Sequence, residues 1–388
     1  MASPVGFELR EVHLPFRKPF RHAAATRTHS SSLFLKCVTD QGAVGFGETL
    51  PRPYVTHESC DSAFHMLQYR VLPHLLQKQF FGLEDVLTFL RECDGKAPAA
   101  WIPPETPQSA AWAAVDLCLL DAFGHAFDEP VRIGQHASPT LPPAFRYSAV
   151  VSTGSLAHFL ATLLKIRLYG FKHVKLKVDA HTDLASIRVA RWVLGSHCTL
   201  RLDANMAWND VRALPRMRTL ARWGVAGFEQ PCRPEDREEM ARLSQDEHLP
   251  IVADESFTDR RSLETLVRLK ACAAVNVRVV KCGGLLAAYH RCEESLAAGL
   301  TVQLGCQVGE SSLLSAAQLI LLLAVREIAY GEGCFGTHLL VDDPAQPCLR
   351  FGYAGHPPRL LHGPGLGPII DEEVLARWTS RCARVGDL

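Results

Sequence analysis

The sequence predicts an α/β protein in which a parallel β/α barrel follows a smaller α+β domain. Its 388 residues exceed the usual size of one hydrophobic core, which favours two domains. After about Ala144, six short apolar segments end in polar residues and are followed by helical patterns. Five of these polar residues are separated by 26, 26, 25 and 24 positions: Lys177, Asp203, Glu229, Asp254 and Arg278. A period of about 25 residues fits one strand, one helix and two loops, as in a parallel barrel.

The first 125 residues predict the α+β domain. Alternation of apolar and polar residues in GFELREVHLPF and SLFLKCVTDQGAVGFGE indicates strands. Helical periodicity then runs from Cys60 to Cys93 and from Pro107 to about Phe127. Strands followed by helices are typical of a separate α+β unit. We expect residues 126–355 to form the barrel and residues 356–388 to return and complete the first domain.

Composition and charge exclude several classes of protein. The 41 basic and 41 acidic residues cancel, which argues against a nucleic-acid or anionic-membrane partner. The 13 cysteines include no CxxC pair, as expected for reduced thiols. The longest apolar run, LLSAAQLILLLAV, is too short to span a bilayer, and the first residues lack the pattern of a signal peptide. We therefore expect a soluble, cytoplasmic enzyme that acts on a small molecule.

Three acids recur at the predicted carboxyl ends of successive strands, where parallel barrels carry their active sites. Asp203, Glu229 and Asp254 occupy this position, so their carboxylates should converge and repel one another. A divalent cation would remove that repulsion. Ligation by oxygen alone indicates Mg²⁺, with Mn²⁺ as the other candidate, rather than zinc. The alternative is that each acid caps the helix that follows it.

Two lysines in HVKLKVD lie two residues apart, so a strand places Lys175 and Lys177 on the same face. The apolar residues between them face the helices, and both ammonium groups then point into the barrel. Buried lysines are rare unless they are paired or functional. Close to a second lysine and a divalent cation, Lys177 is the expected general base. The alternative is a solvated lysine pair on an edge strand.

As an ordered set, KLKVD, RLDAN, FEQP, ADES and KCGG resemble the enolase superfamily. The resemblance is to its muconate lactonizing enzyme and mandelate racemase-like members, which include dipeptide epimerases and o-succinylbenzoate synthases. It implies a (β/α)7β modified TIM barrel with an α+β capping domain. It also implies Mg²⁺ on Asp203, Glu229 and Asp254 that binds the carboxylate of a small-molecule substrate. Lys177 then removes the α proton to give an enediolate, with Lys175 in support. A homo-oligomer is expected by analogy with the fold.

One position departs from the pattern of this family. The second catalytic lysine falls on Arg278, which cannot exchange a proton near neutral pH. We therefore expect one-base chemistry, a cycloisomerisation or a syn elimination, with Arg278 as a fixed cation over the enediolate or on a second substrate anion. Arg278 as a structural ion-pair partner is the alternative. Two other functions stay open. One is a racemase or epimerase of an amino-acid derivative, with Lys281 or water as the second proton donor. The other is a non-catalytic binding protein.

The positions expected to bind substrate also differ from those of dipeptide epimerases. The Asp-x-Asp pair of those enzymes falls on Gly333 and Phe335, so their ammonium clamp is missing. Glu332 lies one residue away and is a candidate substrate-binding acid. Arg27 falls where some dipeptide epimerases bind a substrate carboxylate, although an ordinary loop arginine is the alternative.

Overall fold

The computed structural model describes residues 1–22, 25–134, 138, 140–153, 155–179, 184–209, 213–246 and 249–388. It contains a four-stranded antiparallel sheet, an eight-stranded parallel sheet and a two-stranded ribbon. Within these residues, no helix is both long and apolar enough to cross a membrane.

The four-stranded sheet combines the two ends of the sequence. Its strands are β1 (Pro4–His22), β2 (Ala25–Thr39), β3 (Val44–Thr49) and β14 (Thr379–Gly386), in the order β14-β1-β2-β3. Gly6 of β1 pairs with Gly386, and the register continues to Val12 opposite Thr379. The α+β domain therefore includes a strand that follows the barrel in the sequence.

Helices cover one face of this sheet. They are α1 (Cys60–Met66), a π-helical turn (Leu67–Val71), α2 (Leu72–Leu75), α3 (Leu83–Cys93) and α4 (Ser109–Ala126). All residues from Ala110 to Gly124 of α4 are buried, as expected for a helix that is apolar on every side. β3 approaches α4 so closely that a Cβ atom at Gly45 or Gly47 would collide with the α4 backbone. Glycine permits this close packing.

Eight short parallel strands form the second sheet. They are β4 (Ala149–Ser152), β5 (His173–Lys177), β6 (Thr199–Asp203), β7 (Val225–Glu229), β8 (Ile251–Ala253), β9 (Ala274–Val277), β10 (Thr301–Leu304) and β11 (Tyr330–Gly331). They follow one another in sequence order around the sheet. A parallel bridge between Tyr147 and Gly331, with the Ser148 N–H donating to the Gly331 carbonyl, joins the first strand to the last. The sheet therefore closes into a barrel.

Helices connect each barrel strand to the next. They are α5 (Leu156–Leu168), α6 (Leu184–Leu194), α7 (Ala213–Ala221), α8 (Arg237–Ser244), α9 (Arg260–Leu269), α10 (Val279–Cys282), α11 (Leu285–Ala297) and α12 (Ser312–Ala324). In the part of the chain that the structure describes, α10 and α11 share one connection and each other connection has one helix, so eight strands alternate with seven helical crossovers. The predicted (β/α)7β barrel with an α+β capping domain is confirmed.

The segment after the barrel returns to the first domain. It contains 3₁₀ turns at Gly336–His338 and Tyr353–Gly355, the ribbon strands β12 (Ala345–Gln346) and β13 (Ile369–Ile370), helix α13 (Glu372–Trp378) and then β14. The predicted domain boundary at residue 125 falls in the last turn of α4.

Buried acidic side chains of the first domain bind the amino ends of two barrel helices. Glu48 of β3 accepts hydrogen bonds from the backbone N–H and the hydroxyl of Ser311, the residue that caps α12. Asp116 of α4 accepts from the backbone N–H of Leu285, the first residue of α11, at 2.7 Å. Both acids are almost completely inaccessible to solvent. These bonds satisfy backbone donors that a helix leaves free, and they hold the first domain over the barrel.

Candidate active site

The polar residues at the carboxyl ends of the strands share one layer of the barrel. The strand register pairs Lys177 with Asp203 and Asp203 with Glu229. Asp254 and Arg278 each come directly after the next two strands, β8 and β9. The period of about 25 residues therefore reflects positions that are equivalent around the barrel.

A cavity of about 230 Å³ opens at this end of the barrel. The charged and polar side chains that line it include Lys175, Lys177, Asp203, Asn205, Glu255, Arg278, Gln307 and Glu332. Its apolar wall includes Tyr54, Val150, Val308, Phe335 and Leu339. Tyr54 belongs to the first domain, so both domains enclose the cavity. A small molecule with both charged and apolar groups suits this lining.

Lys175 is held by three acids. Its Nζ lies 3.0 Å from Glu229 Oε1, 3.5 Å from Asp203 Oδ2 and 2.5 Å from Glu332 Oε2. Burial by itself lowers the pKa of Lys175, but the charges of these acids outweigh burial and raise that pKa. Lys175 therefore stays protonated and neutralises the acids around it.

Lys177 lies on the same strand face but has weaker partners. Its Nζ donates to Asn205 Oδ1 at 3.3 Å and lies 3.8 Å from Asp203 Oδ2. Its side chain keeps 16% of its surface exposed, against 5% for Lys175. The ammonium group is thus the more accessible of the two toward the cavity.

The three predicted metal-binding acids have different surroundings. Burial and the nearby charge of Glu229 raise the pKa of Asp203. Burial opposes ionisation of Glu229, but the charges of Lys175 and Arg201 lower its pKa to about 2. Asp254 instead faces two cations, because it pairs with Arg278 and accepts from Lys281 Nζ at 2.8 Å.

Whether these acids fit a divalent cation depends on their chemistry and on their orientation. In the described residues, no three acid, histidine or cysteine side chains surround a common point. The donors are nevertheless all hard oxygens, the kind that Mg²⁺ prefers. In addition, Oε2 of Glu255, which is 5% exposed and lines the cavity, has no hydrogen-bond partner in the described part of the chain. The donor set therefore fits Mg²⁺ in its chemistry, whereas its present orientation does not form a site: of the three acids only Asp203 lines the cavity, and Glu229 and Asp254 are paired with other side chains.

Lys281 lies below the cavity rather than beside it. β9 ends at Val277, and the single turn of α10 carries Lys281 under Asp254. Its Nζ donates to the backbone carbonyls of Asp254 and Asn276, both at 2.7 Å, as well as to the Asp254 carboxylate. Burial, together with the charge of Arg278, lowers the pKa of Lys281 to about 7. Among the described residues, Lys281 is not part of the cavity lining.

Arg201 is a buried residue that the sequence reasoning missed; it does not line the cavity but contacts Glu332, which does. It is 1% exposed, and its guanidinium lies 3.0 Å from Glu332 Oε1 and donates to Ser148 Oγ at 2.9 Å. It also donates to Gln303 and packs over the Tyr330 ring. The two-residue period of a strand, which grouped Lys175 with Lys177, places Arg201 on the same face as Asp203. That signal was available in RLDAN.

The two predicted substrate-binding residues lie at different depths. Glu332 lines the cavity, but its carboxylate pairs with Lys175 and Arg201. Arg27 lies in the first domain, with its guanidinium 5.7 Å from the centre of the Tyr54 ring. Among the described residues, Arg27 does not line the cavity itself. Arg27 belongs to β2 and not to a loop, and residues 23 and 24, which precede that strand, lie outside the described residues.

Two family models match this chain. Residues 5–133 match the model for "Mandelate racemase / muconate lactonizing enzyme, N-terminal domain", and residues 159–374 match "Enolase C-terminal domain-like". The second match alone covers more than half of the chain. These ranges correspond to the α+β domain and to most of the barrel with its return segment.

Curated relatives and solved structures agree with these matches. The N-succinyl-L-Arg/Lys racemase of Bacillus cereus is 26% identical over 96% of this chain and 96% of its own. Its crystal structure has a TM-score of 0.87, with 25% identity, and covers 99% of this chain and 100% of that one. Muconate cycloisomerase 1 of Rhodococcus opacus is 25% identical over 97% of this chain and 98% of its own.

A third relative is known with bound ligands. The dipeptide epimerase of Cytophaga hutchinsonii, complexed with Mg and the dipeptide D-Ala-L-Val, has the same fold, with a TM-score of 0.84 and 23% identity. The alignment covers 99% of this chain and 100% of that one. With matched models over both domains and full-length likeness to named enzymes, the chain is an enzyme that belongs to the mandelate racemase and muconate lactonizing enzyme family of the enolase superfamily.

Proposed function

We propose that the enzyme removes or adds the proton α to the carboxylate of a small carboxylic acid, and that Lys177 is its single general base. The reaction is then an isomerisation or a lyase reaction, such as a cycloisomerisation or a syn elimination, through an enediolate. The relatives include racemases, epimerases and cycloisomerases, which supports proton transfer next to a carboxylate as the shared chemistry.

The observation that carries the one-base proposal is the pair of residues that face each other across the barrel. Lys177 ends the second of the eight barrel strands, and Arg278 follows the sixth, so the two are diametrically opposed. A lysine accepts and returns a proton, whereas a guanidinium stays protonated. A substrate α carbon between them therefore meets a base on one face only.

The proposed metal ligands are Asp203, Glu229 and Asp254, which would hold Mg²⁺, or Mn²⁺ in its place. Such a cation supplies positive charge beside the substrate carboxylate, which favours loss of the α proton. The Mg in a dipeptide epimerase of the same fold supports this choice. Asp254 pairs with Arg278 and Lys281 in this structure and would have to leave both side chains to take part.

The other polar residues hold the base and its acids in place. Lys175 pairs with Glu229 and Glu332 and offsets part of their negative charge. Asn205 accepts from Lys177 and orients its ammonium group. The apolar wall formed by Val150, Phe335 and Leu339 limits water around the reacting carbon. Fixed orientation and exclusion of water both favour proton transfer.

The second candidate function is racemisation or epimerisation of an amino-acid derivative. The names of several relatives favour it, among them the N-succinyl-L-Arg/Lys racemase. It requires a second proton donor on the face opposite Lys177. Lys281 has a pKa lowered to about 7 by burial and by Arg278, but it is enclosed below Asp254. Water is the other source of that proton.

Proton NMR in deuterium oxide tests the proposal. A library of carboxylic acids is incubated with Mg²⁺ and wild type, Lys177→Ala or Lys165→Ala, the last at an exposed position on α5. We expect exchange or conversion at an α carbon with wild type and Lys165→Ala but not with Lys177→Ala. Inversion of configuration would favour the second candidate. Full activity of Lys177→Ala would refute Lys177 as the base.

A further inference from the structure

Helix α5 has two apolar sides, although the barrel covers only one of them. Its inner side packs into the core through Phe159, Leu163 and Ile166. A second apolar row recurs at four-residue spacing along the outer side: Leu156, Leu160, Leu164 and Leu168. Three of these four leucines are exposed, by 49% to 78% of their surface. A helix that is apolar on both sides is normally buried on both, so the outer row indicates a surface that another molecule covers.

The leucine row continues onto neighbouring parts of the barrel surface. Trp192, near the end of α6, is 79% exposed and lines a groove together with Leu164 and Leu168. Tyr169 follows Leu168, and its ring centre lies 5.4 Å from that of Tyr353, which is also exposed. Six of the 14 large apolar side chains that are exposed in the described part of the chain lie here and are called the α5 face: Leu156, Leu164, Leu168, Tyr169, Trp192 and Tyr353.

The α5 face is large enough for a stable contact with another protein. At about 200 Å² for a fully exposed large side chain, the exposed fractions of its six side chains correspond to roughly 700 Å². The largest apolar patch on a monomeric protein is usually about 300 to 600 Å². A standard protein interface buries about 800 Å² on each partner, so these six side chains alone supply most of the area that a stable pair needs.

The shape and charge of α5 favour a second copy of this chain as the partner. Its leucine row forms a ridge, and the exposed Ala157 and Ala161 leave a shallow groove beside that ridge. When two helices pack through ridges of four-residue spacing, each ridge fits the groove of the other helix. A second copy provides the same ridge and groove in return. The guanidinium of Arg167 donates to the Val193 carbonyl of α6 at 2.6 Å, so it is held on its own chain and not aimed at a partner.

We propose that the α5 face is a contact between two copies of this chain, related by a two-fold axis. The leucine rows of the two copies pack against each other, and Trp192 and the two tyrosines enclose their edges. The exposed basic residues of the same helices, Lys165 and Arg188, stay at the rim. The inference does not depend on the proposed function, because none of the six side chains belongs to the described lining of the cavity.

Analytical ultracentrifugation of the full chain over a range of protein concentrations tests the inference. We expect wild type to sediment with the mass of an even number of chains, and Trp192→Glu and Leu168→Glu with half of that mass. Each substitution occurs twice at a two-fold contact and buries a charge there, so it should weaken the contact at least about hundredfold. Phe81→Glu is the matched control, because Phe81 is 71% exposed in the first domain and lies outside the α5 face. It should keep the wild-type mass.

Three results would overturn the inference. One is a wild type that stays monomeric at every concentration, and another is an assembly whose mass is unchanged in the folded Trp192 and Leu168 variants. The third is an equal loss of assembly in Phe81→Glu, which would show that any added surface charge has the same effect. Circular dichroism shows whether each variant is folded, and since the two substitutions lie on different helices, either folded variant decides the question.

A membrane surface is the competing occupant, because neither α5 nor α6 contains an acid and both carry exposed basic residues. Co-sedimentation with vesicles that contain phosphatidylserine separates the two. We expect wild type to stay in the supernatant. A monomeric wild type that sediments with these vesicles, and that no longer does so as Trp192→Glu, would assign the α5 face to a membrane and overturn the inference.

Discussion

Replacement of Glu48 by glutamine should remove part of the pH dependence of stability. Glu48 is fully buried between the first domain and α12, and burial raises its pKa to about 8. The carboxyl group is thus neutral at pH 6 in the folded protein but ionised in the unfolded chain. Glutamine has the same shape, accepts from the Ser311 N–H and carries no charge at any pH. Glu48→Gln therefore mimics the protonated form.

The sign and size follow from proton linkage. Above about pH 4.5 the unfolded state releases a proton that the folded state still holds on Glu48. The free energy of unfolding therefore falls as the pH rises from about 4.5 to about 8, and it stops falling above that pH. Each pH unit inside this window costs about 1.4 kcal/mol. From pH 6 to pH 9, wild type should lose about 3 kcal/mol more of its free energy of unfolding than Glu48→Gln does.

Urea unfolding of both proteins at pH 6 and pH 9 measures this difference. Taking the difference between the two proteins cancels the other titrating groups. Glu105→Gln, at an exposed position in the first domain, is the control and should follow wild type at both pH values. Equal losses in wild type and Glu48→Gln would show that Glu48 is already ionised at pH 6, and would refute the reasoning.

Two further substitutions test the packing of the site and of the domain junction. Arg201→Met should lower the free energy of unfolding by about 3–5 kcal/mol, because it breaks a buried pair with Glu332, whereas exposed Arg218→Met should cost less than about 1 kcal/mol. A loss below about 1 kcal/mol for Arg201→Met in urea unfolding would contradict this. Gly284→Ala should lower the thermal midpoint of unfolding more than Gly195→Ala does. Both glycines have a positive φ, 121° and 79°, so both substitutions strain the backbone. A Cβ atom at position 284 would in addition collide with the side chain of Asp116, whereas one at position 195 would meet no atom. Equal midpoints would show that backbone strain alone matters.

Much of the fold and part of the site could be predicted from the sequence. The 25-residue period survives in the sequence because each barrel unit repeats the same strand, helix and loops. The alternation that paired Lys175 with Lys177 is equally local, and both lysines line the cavity. The ordered motifs then identified the superfamily, which the family models confirm.

The remaining contacts join residues that the sequence keeps far apart. Glu48 and Ser311 are 263 positions apart, and Arg201 reaches Glu332 over 131 positions. No pattern within a short stretch of sequence predicts which distant residues will pair. The position of Lys281 depends on where β9 ends. If the strand continued for three more residues, Lys281 would lie in the barrel wall. Instead the chain forms the single turn of α10, which places the Lys281 side chain against Asp254. The roles assigned to the site residues stay predictions until they are measured.

The pairing of β14 with β1 has a consequence for the order of folding during synthesis. All eight barrel strands leave the ribosome before residues 379–386 do. Until then, the edge of β1 that pairs with β14 has no partner strand. An unpaired edge is a template for pairing with other chains. The exposed period lasts for translation of about 370 residues, roughly 20 to 70 seconds at about 5 to 20 residues per second. Aggregation of newly made chains should therefore depend on how quickly β14 arrives, and slower translation of the last segment should lower the soluble yield.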